Sequence, residues 1–257
     1  MKEQLEKDGY IILKDFFKES QLLRLKNNVR FIFELQFKNF GYNIYSPTQL
    51  GYLNEKENMI RLFNEYPEVF KNCGKLIQTG LIELYELGTN KKLLEILEEE
   101  LGIKYPLMCT RPVLFFNHPQ LAKSEEYYKT PKHQDWPSME ASQNSLVVWV
   151  PLVDVNKENG SIIIYPGSHK QGILPYKTTG GFAEVEYEGE SIQPEMKVGD
   201  IAIFSTKLVH KSGDILDDSI RWSCHFRYTD MLEEDFIGRG YPSPYVYSPI
   251  TKTKASR

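Results

Sequence analysis

After Pro106 the chain changes texture, and this change limits what it can fold into more than any other feature. Short runs rich in Val, Ile, Phe and Trp alternate with Gly, Pro and Asn over 107–117, 145–153, 161–165, 183–188, 199–206 and 220–229. Runs of this length, bounded by turn formers, specify an all-β barrel or sandwich. Before Pro106 the pattern is helical. Residues 18–40 carry apolar side chains at 22, 23, 25, 29, 32, 33 and 35, close to helical spacing, with Glu19 or Ser20 where a cap is expected. Two further helical stretches follow at 57–74 and 75–102, the second split in two by Gly88 and Asn90. No linker, repeat or low-complexity tract divides the chain. The expectation is one domain over 1–257: about 1–105 largely helical, about 106–230 a β barrel buttressed by those helices, and 231–257 a C-terminal extension. Pro242, Pro244 and Pro249 mark that extension as a loop or extended strap.

Bulk properties narrow the function classes. A net charge of −4 provides no broad basic face, so nucleic acid is not an expected partner. The opening MKEQLEKDGY carries acids and lacks the apolar core of a signal peptide. The longest apolar run, LVVWVPLV at 146–153, is too short to span a bilayer. Cys73, Cys109 and Cys224 are widely separated and odd in number, which fits buried small hydrophobes in a reducing, cytoplasmic compartment. Oligomeric state leaves no mark in the sequence.

The chemistry is concentrated at KHQDWP, residues 132–137. On a strand, residues i and i+2 share a face about 6.5–7 Å apart, so His133 and Asp135 are placed to close on one metal ion. An isolated H-x-D is more often a surface loop, and the third ligand decides. His118, in FNHPQ, and His169, in PGSHKQG, read as turn residues. His225, in RWSCHFRY, alternates with Arg221, Ser223 and Arg227; it lines a cavity or sits in a polar core. His210 follows the apolar strand GDIAIFSTKLV and opens the loop HKSGD, which makes it the expected third ligand. Two histidines and one carboxylate leave three open positions, the arrangement that holds nonheme Fe(II) for oxygen chemistry. Those positions suit a bidentate 2-oxo acid and dioxygen. The distal carboxylate of such an acid needs a fixed cationic partner, and a guanidinium is the two-pronged match. Arg221, at the start of the next strand, is that candidate, and Ser212 adds a hydroxyl to the same carboxylate.

The chain resembles the phytanoyl-CoA dioxygenase family of Fe(II)/2-oxoglutarate oxygenases. The resemblance runs through LEKDGYIILKDFFKESQLLRLKNNV (5–29), with a strand after GY, and TPKHQDW (130–136). It continues through VVWVPLVDVNKENGSIIIYPGSHKQG (147–172) and GDIAIFSTKLVHKSGDILDDSIRWSCHFRY (199–228). Residues about 40–105 show no such match. The resemblance implies a double-stranded β-helix, also called a jelly roll or cupin-like barrel. It implies His133, Asp135 and His210 as iron ligands and Arg221 and Ser212 as 2-oxoglutarate contacts, with Asn117 a candidate for that molecule's other end. The presence of Asp135 disfavours the halogenating variants of this fold.

The implied reaction consumes 2-oxoglutarate and O2, releases succinate and CO2, and hydroxylates an unactivated carbon. Desaturation, epimerisation and ring formation use the same iron site. Trp136, Arg111, His225 and Arg227 are the candidate substrate contacts, and Tyr42, Tyr45 and Tyr52 candidate entrance residues. Inward arginines favour a small polar metabolite: sugar-derived, amino-acid-derived or a natural-product intermediate. Two rivals keep the barrel. A zinc-dependent hydrolase leaves Arg221 and Ser212 without a role. A non-enzymatic cupin-like binding protein has no need of three intact ligands.

Overall fold

Apolar spacing decides where the helices go. In the computed structural model, which describes residues 1–43, 55–122, 129–179 and 182–242, α1 (Lys2–Asp8) leads into β1 (Tyr10–Leu13), and α2 spans Glu19–Asn39. Leu22, Leu25, Val29, Phe33 and Phe37 form the buried stripe of α2. Phe33 meets Phe116 of the sheet edge-on at 5.4 Å. The stretch expected as one helix over 57–74 is two, α3 (Glu55–Glu65) and α4 (Pro67–Gly80). Pro67 takes the first position of α4, and Tyr66 before it (φ −136, ψ 62) leaves helical geometry, as residues preceding proline tend to. The expected break at Gly88 and Asn90 is present. It separates α5 (Ile82–Gly88) from α6 (Lys91–Glu95), whose first turn is capped by the Asn90 side chain accepting from Leu93 N at 3.2 Å.

The strands form a large and a small sheet. The large sheet runs β1, β8 (Ile201–Ser205), β4 (Leu146–Pro151), β10 (Arg221–Asp230), β2 (Pro106–Met108), and β3 (Val113–Asn117) also pairs with β10. Every pair is antiparallel. The expected strand 107–117 is thus two, because the segment between them contains Pro112, which has no N–H for a ladder. The small sheet comprises β5 (Ile163–Ile164) with β9 (His210–Lys211) and β6 (Tyr176–Thr179) with β7 (Phe182–Val185). His133 bridges the two pairs, exchanging backbone hydrogen bonds with His210 at 3.0 and 3.1 Å and facing Glu184 of β7. Among the described residues the ladders do not close into one continuous barrel; the two sheets stay separate.

Alternation then sorts side chains by face. On β10, Trp222, Cys224, Phe226 and Tyr228 pack with the helices, as do Val148 and Val150 of β4. Val147 and Trp149 of β4 belong to a second apolar cluster on the opposite face. Phe204 of β8 lies 4.8 Å from the His210 ring, so the small sheet covers that face. With both faces covered, β4 is buried along its whole length, which is why LVVWVP reads as an unbroken apolar run. Arg221, Ser223, His225 and Arg227 occupy the covered, inner face of β10. No helix among the described residues is long and apolar enough to cross a membrane.

Candidate active site

The H-x-D segment is a strand that bends. His133 is held by the ladder, but Asp135 has φ −74, ψ −32 and opens the short helix α7 (Trp136–Met139). The extended i, i+2 geometry expected from the sequence is therefore replaced by a helical turn. That turn brings Asp135 Oδ1 to 4.0 Å from His133 Nε2 and Oδ2 to 3.7 Å from His210 Nε2. One ligand atom from each of the three residues lies within 4.8 Å of the others, and all three residues are buried.

The two imidazoles share one tautomer. His133 Nδ1 lies 2.8 Å from Pro131 O and His210 Nδ1 2.9 Å from Leu208 O. A carbonyl only accepts, so each Nδ1 carries the proton and each Nε2 keeps its lone pair toward the cluster. Burial, reinforced by His210, pushes His133 down to about 3, and burial also lowers His210. Both are neutral at pH 7, as ligands must be. Burial pushes the Asp135 carboxyl up, but the Arg227 guanidinium and the neighbouring imidazoles outweigh it and hold the carboxyl well below its usual range. Oδ1 accepts from Arg227 Nη2 at 3.1 Å, whereas Oδ2, though buried, has no hydrogen-bond partner. An orphaned carboxylate oxygen facing two imidazole lone pairs is the donor set a divalent first-row ion would satisfy.

Arg221 supplies a second unmet group. It is 3% exposed, its guanidinium hydrogen-bonds Gly160 O, and its Nε has no partner. Among the described residues no carboxylate pairs with it. Burial lowers it to about 10, so it stays cationic at neutral pH. A buried cation without a counter-charge is costly unless an anion arrives. Ser212 and Asn117, both buried, line the same cavity as Arg221 and the two histidines, and Asn117 sits directly across the ladder from Arg221.

His225 also lines this cavity. Its ring meets Phe115 at 5.1 Å and Trp149 at 6.4 Å, and its Nε2 has no partner. Burial, with Arg227 and Arg221 nearby, keeps it neutral. Three aromatic lining residues were not singled out from the sequence: Phe115, Phe182, whose ring lies 5.3 Å from His133, and Trp149, whose buried Nε1 is unpartnered. Alternation along β4 places Trp149 on the face of Val147, but its position opposite His225 depends on a register that no local pattern encodes.

Other candidates lie elsewhere. Arg111 is exposed and donates to Gln78 Oε1 on α4 at 3.2 Å, outside the cavity. Trp136 turns away from it, donating to Ser142 O at 3.3 Å with Arg239 over its ring. Arg227 faces inward but pairs with Asp135. Tyr42 is buried with its hydroxyl donating to Glu65 at 2.7 Å, and Tyr45 and Tyr52 lie outside the described residues. His118 accepts from Gln120 N and reaches Asp218, and His169 sits in the Ser168–Gln171 turn, so both keep structural roles. The three cysteines are free.

Comparison with known proteins identifies a family. The family model for phytanoyl-CoA dioxygenase (PhyH) matches residues 5–223. The peroxisomal phytanoyl-CoA dioxygenase of Homo sapiens is 22% identical over 252 residues, covering 91% of this chain and 69% of the relative. The phytanoyl-CoA dioxygenase of Arabidopsis thaliana is 24% identical over 267 residues, covering 94% of each. A 1-deoxypentalenic acid 11-beta-hydroxylase of Streptomyces exfoliatus is 26% identical over 156 residues, 56% of this chain and 54% of the relative. Two solved structures share the fold at low identity. The non-heme monooxygenase ThoJ has a TM-score of 0.61 at 15% identity, covering 89% of this chain and 76% of that one. The epimerase SnoN, in complex with Fe3+, alpha ketoglutarate and nogalamycin RO, has a TM-score of 0.58 at 18% identity, covering 89% and 81%.

Proposed function

The chain belongs to the phytanoyl-CoA dioxygenase family, and from that premise we propose that it hydroxylates an unactivated carbon of a small polar metabolite. It is a 2-oxoglutarate-dependent dioxygenase, an oxidoreductase that uses Fe(II), 2-oxoglutarate and O2. In this proposal residues 1–257 form one domain, and the two facing sheets are the halves of a double-stranded β-helix.

When bound, Fe(II) and 2-oxoglutarate supply the oxidation, with succinate and CO2 as coproducts. The chain's own residues position and exclude. His133 Nε2, His210 Nε2 and Asp135 Oδ2 would hold the ion. The two Nδ1 hydrogen bonds to Pro131 O and Leu208 O keep both rings in the ligating tautomer. Arg221 would receive the distal carboxylate of 2-oxoglutarate with Ser212 beside it, and Asn117, on the same cavity wall, would face the other end of that molecule. Phe115, Phe182 and Trp149 wall the cavity and exclude water. His225, neutral and with a free Nε2, offers a hydrogen bond to a polar group of the substrate. A wall that mixes imidazole, indole and guanidinium suits a polar metabolite better than a bare acyl chain. The hydroxylase among the relatives supports hydroxylation over the other outcomes open to such a site.

The observation that carries this reading is the buried Arg221, with no carboxylate partner among the described residues, in the same cavity as His133 and His210. The test is an anaerobic titration of metal-free protein with Fe(II) and 2-oxoglutarate, followed through the visible charge-transfer band. Wild type should show the band, His210→Ala should abolish it, and Arg221→Ala should weaken it. Fe(II) binding without any band in wild type would overturn the cosubstrate assignment. Succinate release across a panel of sugar-derived, amino-acid-derived and acyl substrates then tests the substrate class.

A further inference from the structure

The inner face of β10 carries two arginines, and they do different things. Arg221 and Arg227 are six residues apart, about 20 Å along a strand, and both line the cavity. Arg221 has no carboxylate partner among the described residues; Arg227 has Asp135. The sequence placed Arg227 among substrate contacts, whereas the geometry turns it to the metal. We propose that Arg227 is a positioning residue for the iron site, holding Asp135 Oδ1 so that only Oδ2 is offered to the ion. This rests on the reading of His133, Asp135 and His210 as the iron ligands.

Three observations carry it. The contact is close and dry: Nη2 to Oδ1 is 3.1 Å, and the two side chains are 13% and 6% exposed. The remaining oxygen, Oδ2, has no hydrogen-bond partner and lies 3.7 Å from His210 Nε2, nearer than Oδ1 lies to His133 Nε2 at 4.0 Å. Finally, the two partners differ in rigidity. Arg227 rises from the most heavily paired strand of the large sheet, opposite Val147 of β4, and its carbonyl accepts from Cys109 N at 3.0 Å on the other side. Asp135 rides on a turn. A ligand on a turn is thus oriented by a group on a rigid strand.

The orientation has a chemical consequence. A released carboxylate is able to bind a metal through both oxygens. That mode would occupy one of the open positions that a bidentate 2-oxo acid and dioxygen together require. Removing Arg227 also removes a cation near the ion, which by charge alone would strengthen metal binding. A loss of affinity therefore shows that orientation outweighs charge.

The experiment compares full-length wild type with Arg227→Met and Arg227→Lys. Co(II) serves as a probe whose ligand-field spectrum reports the ligand set, with affinity taken from chelator competition. A lost outer-shell partner should weaken Co(II) binding about 10- to 100-fold and change the spectrum in Arg227→Met, with Arg227→Lys intermediate. At saturating metal, 2-oxoglutarate should bind Arg227→Met more weakly. Unchanged affinity and spectrum in a folded Arg227→Met would overturn the proposal, as would a change confined to substrate KM. Should Arg227→Met fail to fold, Arg227→Gln gives the same readout, and a wild-type spectrum there would equally overturn it. Failure of the parent reading is distinguishable, because wild type itself would then show no His210-dependent Co(II) spectrum.

Discussion

Replacing Arg221 with methionine should stabilise the ligand-free protein while abolishing its use of 2-oxoglutarate. Burial lowers the guanidinium from 12.5 to about 10. At about 1.4 kcal/mol per pH unit, that is on the order of 3 kcal/mol of unfavourable burial of the charged form. The folded value lies below the unfolded one, so the penalty is fully present at every pH below about 10 and relaxes only above it. Met fills a similar volume without charge. It forfeits the hydrogen bond to Gly160 O, worth about 1–2 kcal/mol. The net gain is about 1–2 kcal/mol, or roughly 2–8 °C in Tm for a chain of this size. The assay is a thermal melt of metal-free, cosubstrate-free protein, repeated with Co(II) and 2-oxoglutarate. Wild type should melt lower than the variant without ligands and gain from 2-oxoglutarate, while the variant gains only from metal. A less stable ligand-free Arg221→Met would refute the reasoning, because it would mean that the guanidinium is already satisfied by a structural role.

Three further outcomes follow from the same geometry. Gln134, between the two ligands and fully buried, donates to Gly172 O and Lys207 O at 2.8 and 2.6 Å and accepts from Leu174 N at 2.9 Å. Gln134→Leu should cost about 3 kcal/mol or more by stranding those backbone groups, visible as a lower denaturation midpoint together with weaker metal binding. Metal-free protein should lose stability as pH falls from about 6.5 toward 3. His133 and His210 have folded values below their unfolded ones, so the unfolded chain binds more protons over that range. Urea melts across pH should show this slope, and it should be shallower in His133→Phe. Co(II) at about a hundredfold over its Kd should stabilise wild type by about 2.7 kcal/mol and leave His133→Ala unmoved, as read by differential scanning fluorimetry.

Local pattern alone determined the division of the chain into a helical front and a β-rich remainder, since side-chain periods of 3.6 and 2 are properties of neighbouring residues. It also determined the helix break at Gly88 and Asn90 and the choice of His133, Asp135 and His210 as the candidate metal-binding trio, because so few histidines are present that each could be weighed by its flanking residues. Tertiary structure decided what depends on partners distant in the chain. It set Asp135 on a helical turn instead of a strand, because Trp136 N is drawn to Thr206 O across the fold. It placed Trp149 opposite His225, a matter of register between β4 and β10. Arg111 was carried outward to Gln78, and Arg227 inward to Asp135, although both are arginines in β-rich sequence. A sequence states that a side chain is cationic and which way it alternates; only the folded chain determines which partner it meets.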